Sequence, residues 1–138
     1  MSDSPRSISI FLVDDDSDEQ VFFDIAWKKV DRSVQLLFAD DGISALKRIN
    51  NDFSFIPDVI FLDINMPIMN GIRLLKELKK IERLNAVPIY MYSTAAEPRH
   101  LEECAAFGAK GFIKKEGDIA KMLESLTAIL QEIRKRVS

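Results

Sequence analysis

Ile8-Ser9-Ile10-Phe11-Leu12-Val13-Asp14-Asp15-Asp16-Ser17-Asp18-Glu19-Gln20 contains a strand, its abrupt end and the beginning of a helix. Ile8 to Val13 is short, apolar and rich in β-branched and aromatic types, which reads as a strand. The aspartates at 14, 15 and 16 stop it. Ser17-Asp18-Glu19-Gln20 has the form of a capping box, with acids in the first turn where the helix dipole favours them, so a helix is expected to start near Ser17. Val21, Phe22, Ile25, Ala26 and Val30 continue it at helical spacing.

The same succession repeats along the chain. Val34 to Ala39 is a second apolar run, and Gly42, Ala45, Leu46 and Ile49 are spaced as a helix face. Val59 to Leu62 follows Pro57, and Gly71, Leu74, Leu75, Leu78 and Ile81 mark the next amphipathic helix. Pro88 opens a run to Tyr92, followed by a weaker stripe of Leu101, Cys104, Ala105 and Gly108. The last pair is Gly111 to Ile113, then Ile119, Met122, Leu123, Leu126, Leu130 and Ile133. Strands this continuously apolar, alternating with helices over short connections, predict an α/β fold: a doubly wound, five-stranded parallel sheet with helices on both faces. Ligands of such sheets sit beyond the carboxyl ends of the strands, so the residues directly after each strand are the ones to inspect.

Composition sets the bounds. The 138 residues suffice for one domain, with 47% hydrophobic and 30% charged residues as in an ordinary globular protein. The chain is expected to be a single domain over 1–138, with its core at about 8–133 and no room for an output domain. The net charge of −3 argues against a nucleic-acid partner; Lys79-Lys80, Lys114-Lys115 and Arg134-Lys135-Arg136 read as solvated helix ends. Cys104 has no second Cys for a disulfide, and no targeting or membrane-spanning stretch is evident, so a cytoplasmic location with no membrane partner is expected. His100, the single histidine, lacks a second ligand at metal-binding spacing and reads as a surface residue.

Chemistry concentrates at the strand ends. Asp14 and Asp15 follow the first strand, and Asp63 ends the segment Val59-Ile60-Phe61-Leu62-Asp63-Ile64-Asn65-Met66-Pro67. If the first and third strands are neighbours, about 5 Å apart, these carboxylates crowd together and repel. Either one carboxyl takes a raised pKa or a cation neutralises the group. Mg²⁺ suits the second remedy, because it takes one or two carboxylates, keeps several waters and leaves positions for phosphate oxygens. The plainer reading, that these acids only cap the helices that follow, holds less well for three of them than for one. Ser93 and Lys115, directly after later strands, add a hydroxyl and an ammonium suited to phosphoryl oxygens.

With these residues in place, the pattern from about Ile8 to Ile133 resembles the response-regulator receiver family of two-component signalling, most closely its single-domain chemotaxis-regulator kind. The resemblance, not the periodicity, implies the strand order 2-1-3-4-5 of flavodoxin-like folds. It implies that Asp63 is the phosphoacceptor, taking a phosphoryl group from a sensor histidine kinase or histidine phosphotransfer protein. Mg²⁺ would be held by the side chains of Asp15 and Asp63 and the backbone carbonyl of Asn65, with Asp14 acting through a water. Lys115 would pair with the acids and then with the phosphoryl oxygens. Ser93 and Phe112 would be the switch residues that carry the change to an unidentified downstream protein. The chain would be a signalling switch rather than a turnover enzyme, catalysing only its own phosphorylation and dephosphorylation, as a monomer or weak dimer.

Departures and rivals complete the reading. Glu116 stands where the family commonly has Pro after the Lys, so a cis peptide is not expected there. Asn65, Thr94 and Ala95 occupy positions that in the family modulate loss of the phosphoryl group. An aspartyl-phosphate hydrolase would need an acid where Asn65 stands. A flavin-binding module would want a phosphate-cradling loop where Asp14, Asp15 and Asp16 stand. A degenerate receiver acting only as a docking protein would lack the set Asp15, Asp63, Ser93 and Lys115.

Overall fold

In the computed structural model, residues 7–115 and 118–137 are described. The strands are β1 (Ser9–Val13), β2 (Gln35–Ala39), β3 (Val59–Asp63), β4 (Ile89–Ser93) and β5 (Gly111–Lys114). The helices are α1 (Ser17–Val30), α2 (Gly42–Asn51), α3 (Gly71–Leu78), α4 (Pro98–Ala106) and α5 (Ile119–Val137). All strand pairs are parallel, in the order β2-β1-β3-β4-β5. Both the α/β class and the 2-1-3-4-5 order are therefore as expected. The winding reverses between β1 and β3, so the carboxyl ends of those two strands form the crevice where a ligand of such a sheet belongs.

Residue parity along the strands divides the core in two. Phe11, Val13, Ile60, Leu62, Ile89 and Met91 face one side and pack with Ala45 and Ile49 of α2, Leu74 and Leu75 of α3, and Cys104 of α4. Ile10, Leu12, Val59, Phe61, Tyr90 and Tyr92 face the other, against Phe23 and Trp27 of α1 and Leu126 and Ile133 of α5. The three central strands are buried along nearly their whole length, whereas edge strands β2 and β5 are only half-buried. An edge strand has a neighbour on one flank only, so continuous apolarity does not guarantee complete burial there.

Local ends differ from the sequence pattern in two places. The cap of α1 is Asp16, not Ser17: its carboxylate accepts from the backbone N–H of Asp18 at 2.9 Å and Glu19 at 3.4 Å. A carboxylate at the N-cap outcompetes the hydroxyl one residue later because it also meets the positive end of the helix dipole. Helix α3 stops at Leu78 instead of reaching Ile81, and a 3₁₀ turn, Glu82–Leu84, leads into β4. The Glu116 loop lies outside the described residues. Among them, no helix is long and apolar enough to cross a membrane.

Two of the basic residues assigned to solvated ends are tied down instead. Arg134 pairs with Asp31 at 2.5 Å, joining α5 to the end of α1, and Arg136 donates to the Asp58 carbonyl at 2.9 Å. Cys104 is buried, and burial pushes its thiol up, in keeping with a small apolar role. His100 is half-buried in the first turn of α4.

Candidate functional site

Register brings the acids together. Val13 pairs with Leu62, so the next rung sets Asp14 beside Asp63. Asp63 in turn pairs with Tyr92, and Ser93 with Lys114, which leaves Lys115 just beyond the sheet on the same side as Tyr92 and Asp63. The Lys115 N–H donates to the Ser93 carbonyl at 2.8 Å, continuing the ladder and fixing where its side chain starts. Four separate chain segments thus meet at one edge.

One carboxylate oxygen from each of Asp14, Asp15 and Asp63 lies within 4.8 Å of the other two. Asp14 is fully buried and Asp63 5% exposed, while Asp15 stands open to solvent. Because Asp16 takes the capping duty, Asp14 and Asp15 are not used up as helix caps. The Lys115 ammonium sits 2.9 Å from Asp14 Oδ2 and 3.6 Å from Asp63 Oδ2. Its tighter partner is therefore Asp14. These groups open onto a cleft of about 510 Å³ lined by Asp15, Asp16, Asp63, Asn65, Ser93 and Lys115, together with Ser17 and Thr94.

The electrostatics follow from this crowding. Burial, and after it the charge of Asp14, pushes the Asp63 carboxyl up to about 6; Lys115 and the Asn65 N–H at 3.3 Å work against that rise, and Asp15 adds to it. Burial alone would pull the Lys115 ammonium down, but its hydrogen bond to Asp14 and the charges of Asp14, Asp63 and Glu19 outweigh it and hold the ammonium above its usual value. One lysine faces several carboxylates. A hard divalent cation fits such a donor set: closely spaced oxygens, two of them buried, beside an open cleft that leaves room for water and phosphate oxygens.

The remaining expected residues fall into two groups. Ser93 is buried beside the cleft, its hydroxyl donating to the Ala95 carbonyl at 3.2 Å and accepting from the Asn65 amide at 3.4 Å. Phe112 does not join them. It is half-buried on β5 and packs against the core on the α4 side, where it lines a cavity of about 120 Å³ with Met91, Leu101, Cys104 and Ala105.

Several contributors escaped the sequence pattern. Gly71, read there as a helix marker, packs on the phosphoacceptor candidate itself: a Cβ at 71 would lie 2.1 Å from the Asp63 carbonyl oxygen. The Gln20 amide bridges the Asp14 carbonyl and the Asp40 carboxylate, both at 2.9 Å, fastening α1 to the site loop. Ile68, in the loop after Asp63, has φ +69° and is 95% exposed. An Asx-rich loop such as Asn65 to Asn70 signals a turn, but which residue takes the left-handed conformation has no local signature.

Comparison with known proteins agrees with this arrangement. The family model for the response regulator receiver domain matches residues 10–127. Chemotaxis protein CheY-3 of Vibrio cholerae is 35% identical over 96 residues, covering 69% of this chain and 71% of that protein. Chemotaxis protein CheY of Pseudomonas aeruginosa is 31% identical over the same length, covering 69% and 74%. The solved structure of chemotaxis response regulator CheY4 of Vibrio cholerae superposes with a TM-score of 0.75 at 26% identity, covering 92% of this chain and 98% of that one. The chain belongs to the response regulator receiver domain family.

Proposed function

We propose that this receiver domain is phosphorylated on Asp63 in a Mg²⁺-dependent reaction and that the phosphoryl group switches a partner-binding face. The observation that carries this reading is the convergence of Asp14, Asp15 and Asp63, with one oxygen of each within 4.8 Å of the other two, around an ammonium 2.9 Å from one and 3.6 Å from another.

Asp15 and Asp63 would hold Mg²⁺ through their side chains, Asn65 through its backbone carbonyl, and Asp14 through a water. The cation supplies positive charge that cancels the repulsion among the acids and draws in phosphoryl oxygens. An Asp63 carboxylate oxygen attacks the phosphorus of a phosphohistidine; the new bond is the oxygen–phosphorus bond of an acyl phosphate, a mixed anhydride, and the bond that breaks is phosphorus to imidazole nitrogen, which leaves with the electron pair. Lys115, held above its usual pKa, stays cationic at neutral pH and moves from Asp14 toward the phosphoryl oxygens. The Ser93 hydroxyl, occupied with the Ala95 carbonyl, turns to the phosphoryl group, drawing the loop after β4 inward. Phe112, beside its small cavity, is the aromatic that responds on the α4–β5 side.

Shifting a mostly inactive population to a mostly active one requires about 5.5 kcal/mol of preference, within reach of several charge-assisted hydrogen bonds. The donor is a sensor histidine kinase or histidine phosphotransfer protein, the recipient a downstream protein, and the chain works in the cytoplasm as a monomer or weak dimer. One receiver domain, with its core at about residues 8–133, is all that this reading needs. Incubation with Mg²⁺ and a small acyl-phosphate donor is expected to add one phosphoryl group, and chelation of Mg²⁺ to prevent it. Equal modification with and without the metal would overturn the reading.

A further inference from the structure

Each polar group of Asp14 has its own partner. The N–H donates to the Ala39 carbonyl at 3.1 Å, Oδ1 accepts from the Asp16 N–H at 2.9 Å, and Oδ2 meets the Lys115 ammonium at 2.9 Å. The backbone carbonyl is held by Gln20, whose side-chain amide donates to it at 2.9 Å and to Asp40 Oδ1 at 2.9 Å. Both acceptors are oxygens that carry no hydrogen, so the amide must turn its NH₂ group toward them, and Asp40 fixes which way it faces. Gln20 lies in the opening turn of α1 and Asp40 directly after β2, so the bridge joins two loops at the carboxyl edge of the sheet.

The Asp14 carbonyl belongs to the same planar peptide unit as the Asp15 N–H. Turning that carbonyl therefore swings the bond into Asp15, whose side chain is exposed and not held by packing. Asp14 and Asp63 are buried, so of the three acids Asp15 depends most on its backbone for direction. We propose that Gln20, oriented by Asp40, is a positioning residue for the divalent-cation site: it holds the peptide between residues 14 and 15 so that the Asp15 carboxylate stays grouped with those of Asp14 and Asp63. The proposal rests on the phosphorylation reading for the task of the cation, though not for its geometry. Two plainer roles make different forecasts. If the bridge only fastens α1 to the loop, its loss costs stability and leaves cation affinity alone. If Asp40 acts through its charge, Asp40→Asn weakens cation binding as much as Asp40→Ala does.

The test uses the full chain and Mg²⁺ itself, with binding followed through the backbone amide resonances of Asp15 and Asn65 as the metal-free protein is titrated. Gln20→Met, of similar length but without a donor, is expected to weaken Mg²⁺ binding by about tenfold, the usual effect of losing a group that orients a metal ligand. Asp40→Ala should weaken it as well, and by less. Asp40→Asn, whose side-chain oxygen still accepts from Gln20, should bind more tightly than Asp40→Ala although both remove the same charge. A Gln20→Met protein that binds Mg²⁺ like the wild type, or equal affinities in Asp40→Ala and Asp40→Asn, overturns the proposal. Should Gln20→Met fail to fold, the Asp40 pair decides alone. A wild-type protein that binds Mg²⁺ but takes no phosphoryl group from a small acyl-phosphate donor refutes the functional reading and leaves the positioning role to these affinities; a wild type that binds no Mg²⁺ refutes both.

Discussion

β3 lies between two aspartates of nearly equal burial, Asp58 at 6% exposed just before it and Asp63 at 5% at its end. Asp58 is satisfied by short hydrogen bonds. Its Oδ2 accepts from the Ser9 N–H at 2.8 Å and the Ser9 hydroxyl at 3.2 Å, and its own N–H donates to the Ser9 carbonyl at 2.9 Å. Among the described residues, Asp63 has only a 3.3 Å bond from the Asn65 N–H and a 3.6 Å approach of Lys115, and it faces the charge of Asp14. One carboxylate clamps the starts of β1 and β3 together; the other is left short of positive partners beside an open cleft. Equal burial therefore does not mean equal role, and what separates them is how fully the fold meets each carboxylate's demand for donors.

The largest effect in this comparison is expected at Gly71. Gly71→Ala would force a methyl group against the Asp63 backbone, with a cost of about 3 kcal/mol. Denaturant unfolding would measure the loss, and phosphorylation should fall with it because the proposed nucleophile is displaced. Asp58→Ala leaves the Ser9 N–H without its acceptor and should cost about 2 kcal/mol. It should leave the one-to-one extent of phosphorylation unchanged under native conditions, since the clamp is at the far end of the strand.

Asp63→Asn should do the opposite to stability. The folded carboxyl stands near 6 and so above its ordinary value of 3.8. Its protonated form is the one the fold favours: the contribution to stability is fully present below about pH 4 and is lost as pH rises through about 6. At neutral pH without metal, Asp63→Asn is thus expected to gain on the order of 1–2 kcal/mol, and its stability should no longer fall between pH 4 and 7 as the wild type's does. Thermal melts across that range, with and without Mg²⁺, would check this, because the cation should close the gap by stabilising only the wild type. The smallest effect belongs to Ile68. It takes a left-handed conformation while almost fully exposed, so Ile68→Gly should relieve backbone strain without losing buried surface, a gain of about 1 kcal/mol visible in the denaturation midpoint.

The fold was legible because each strand is a run of apolar residues ending in polar ones, and the parallel sheet collects those ends at one edge. The position of Asp14, Asp63, Ser93 and Lys115 follows from that rule together with the strand order. What escaped is of three physical kinds. Competition between adjacent caps moved the α1 N-cap from Ser17 to Asp16, a difference of one residue that frees Asp14 and Asp15. Contacts distant in sequence, such as Tyr92 to Glu19 and Gly71 against Asp63, leave no local period to read. Pairing strength was also hidden: Lys115 was expected to serve the acids as a group, and only coordinates show it closer to Asp14 than to Asp63.

Mapping the phosphoryl group after treatment with Mg²⁺ and a small acyl-phosphate donor tests the account most directly. The carboxyl–phosphate bond can be trapped by borohydride reduction and its position read by peptide mass spectrometry. The label is expected on Asp63 and to vanish in Asp63→Asn. A label on Asp58 or Asp14, or one that persists in full in Asp63→Asn, would contradict the assignment of the reactive carboxylate to the end of β3.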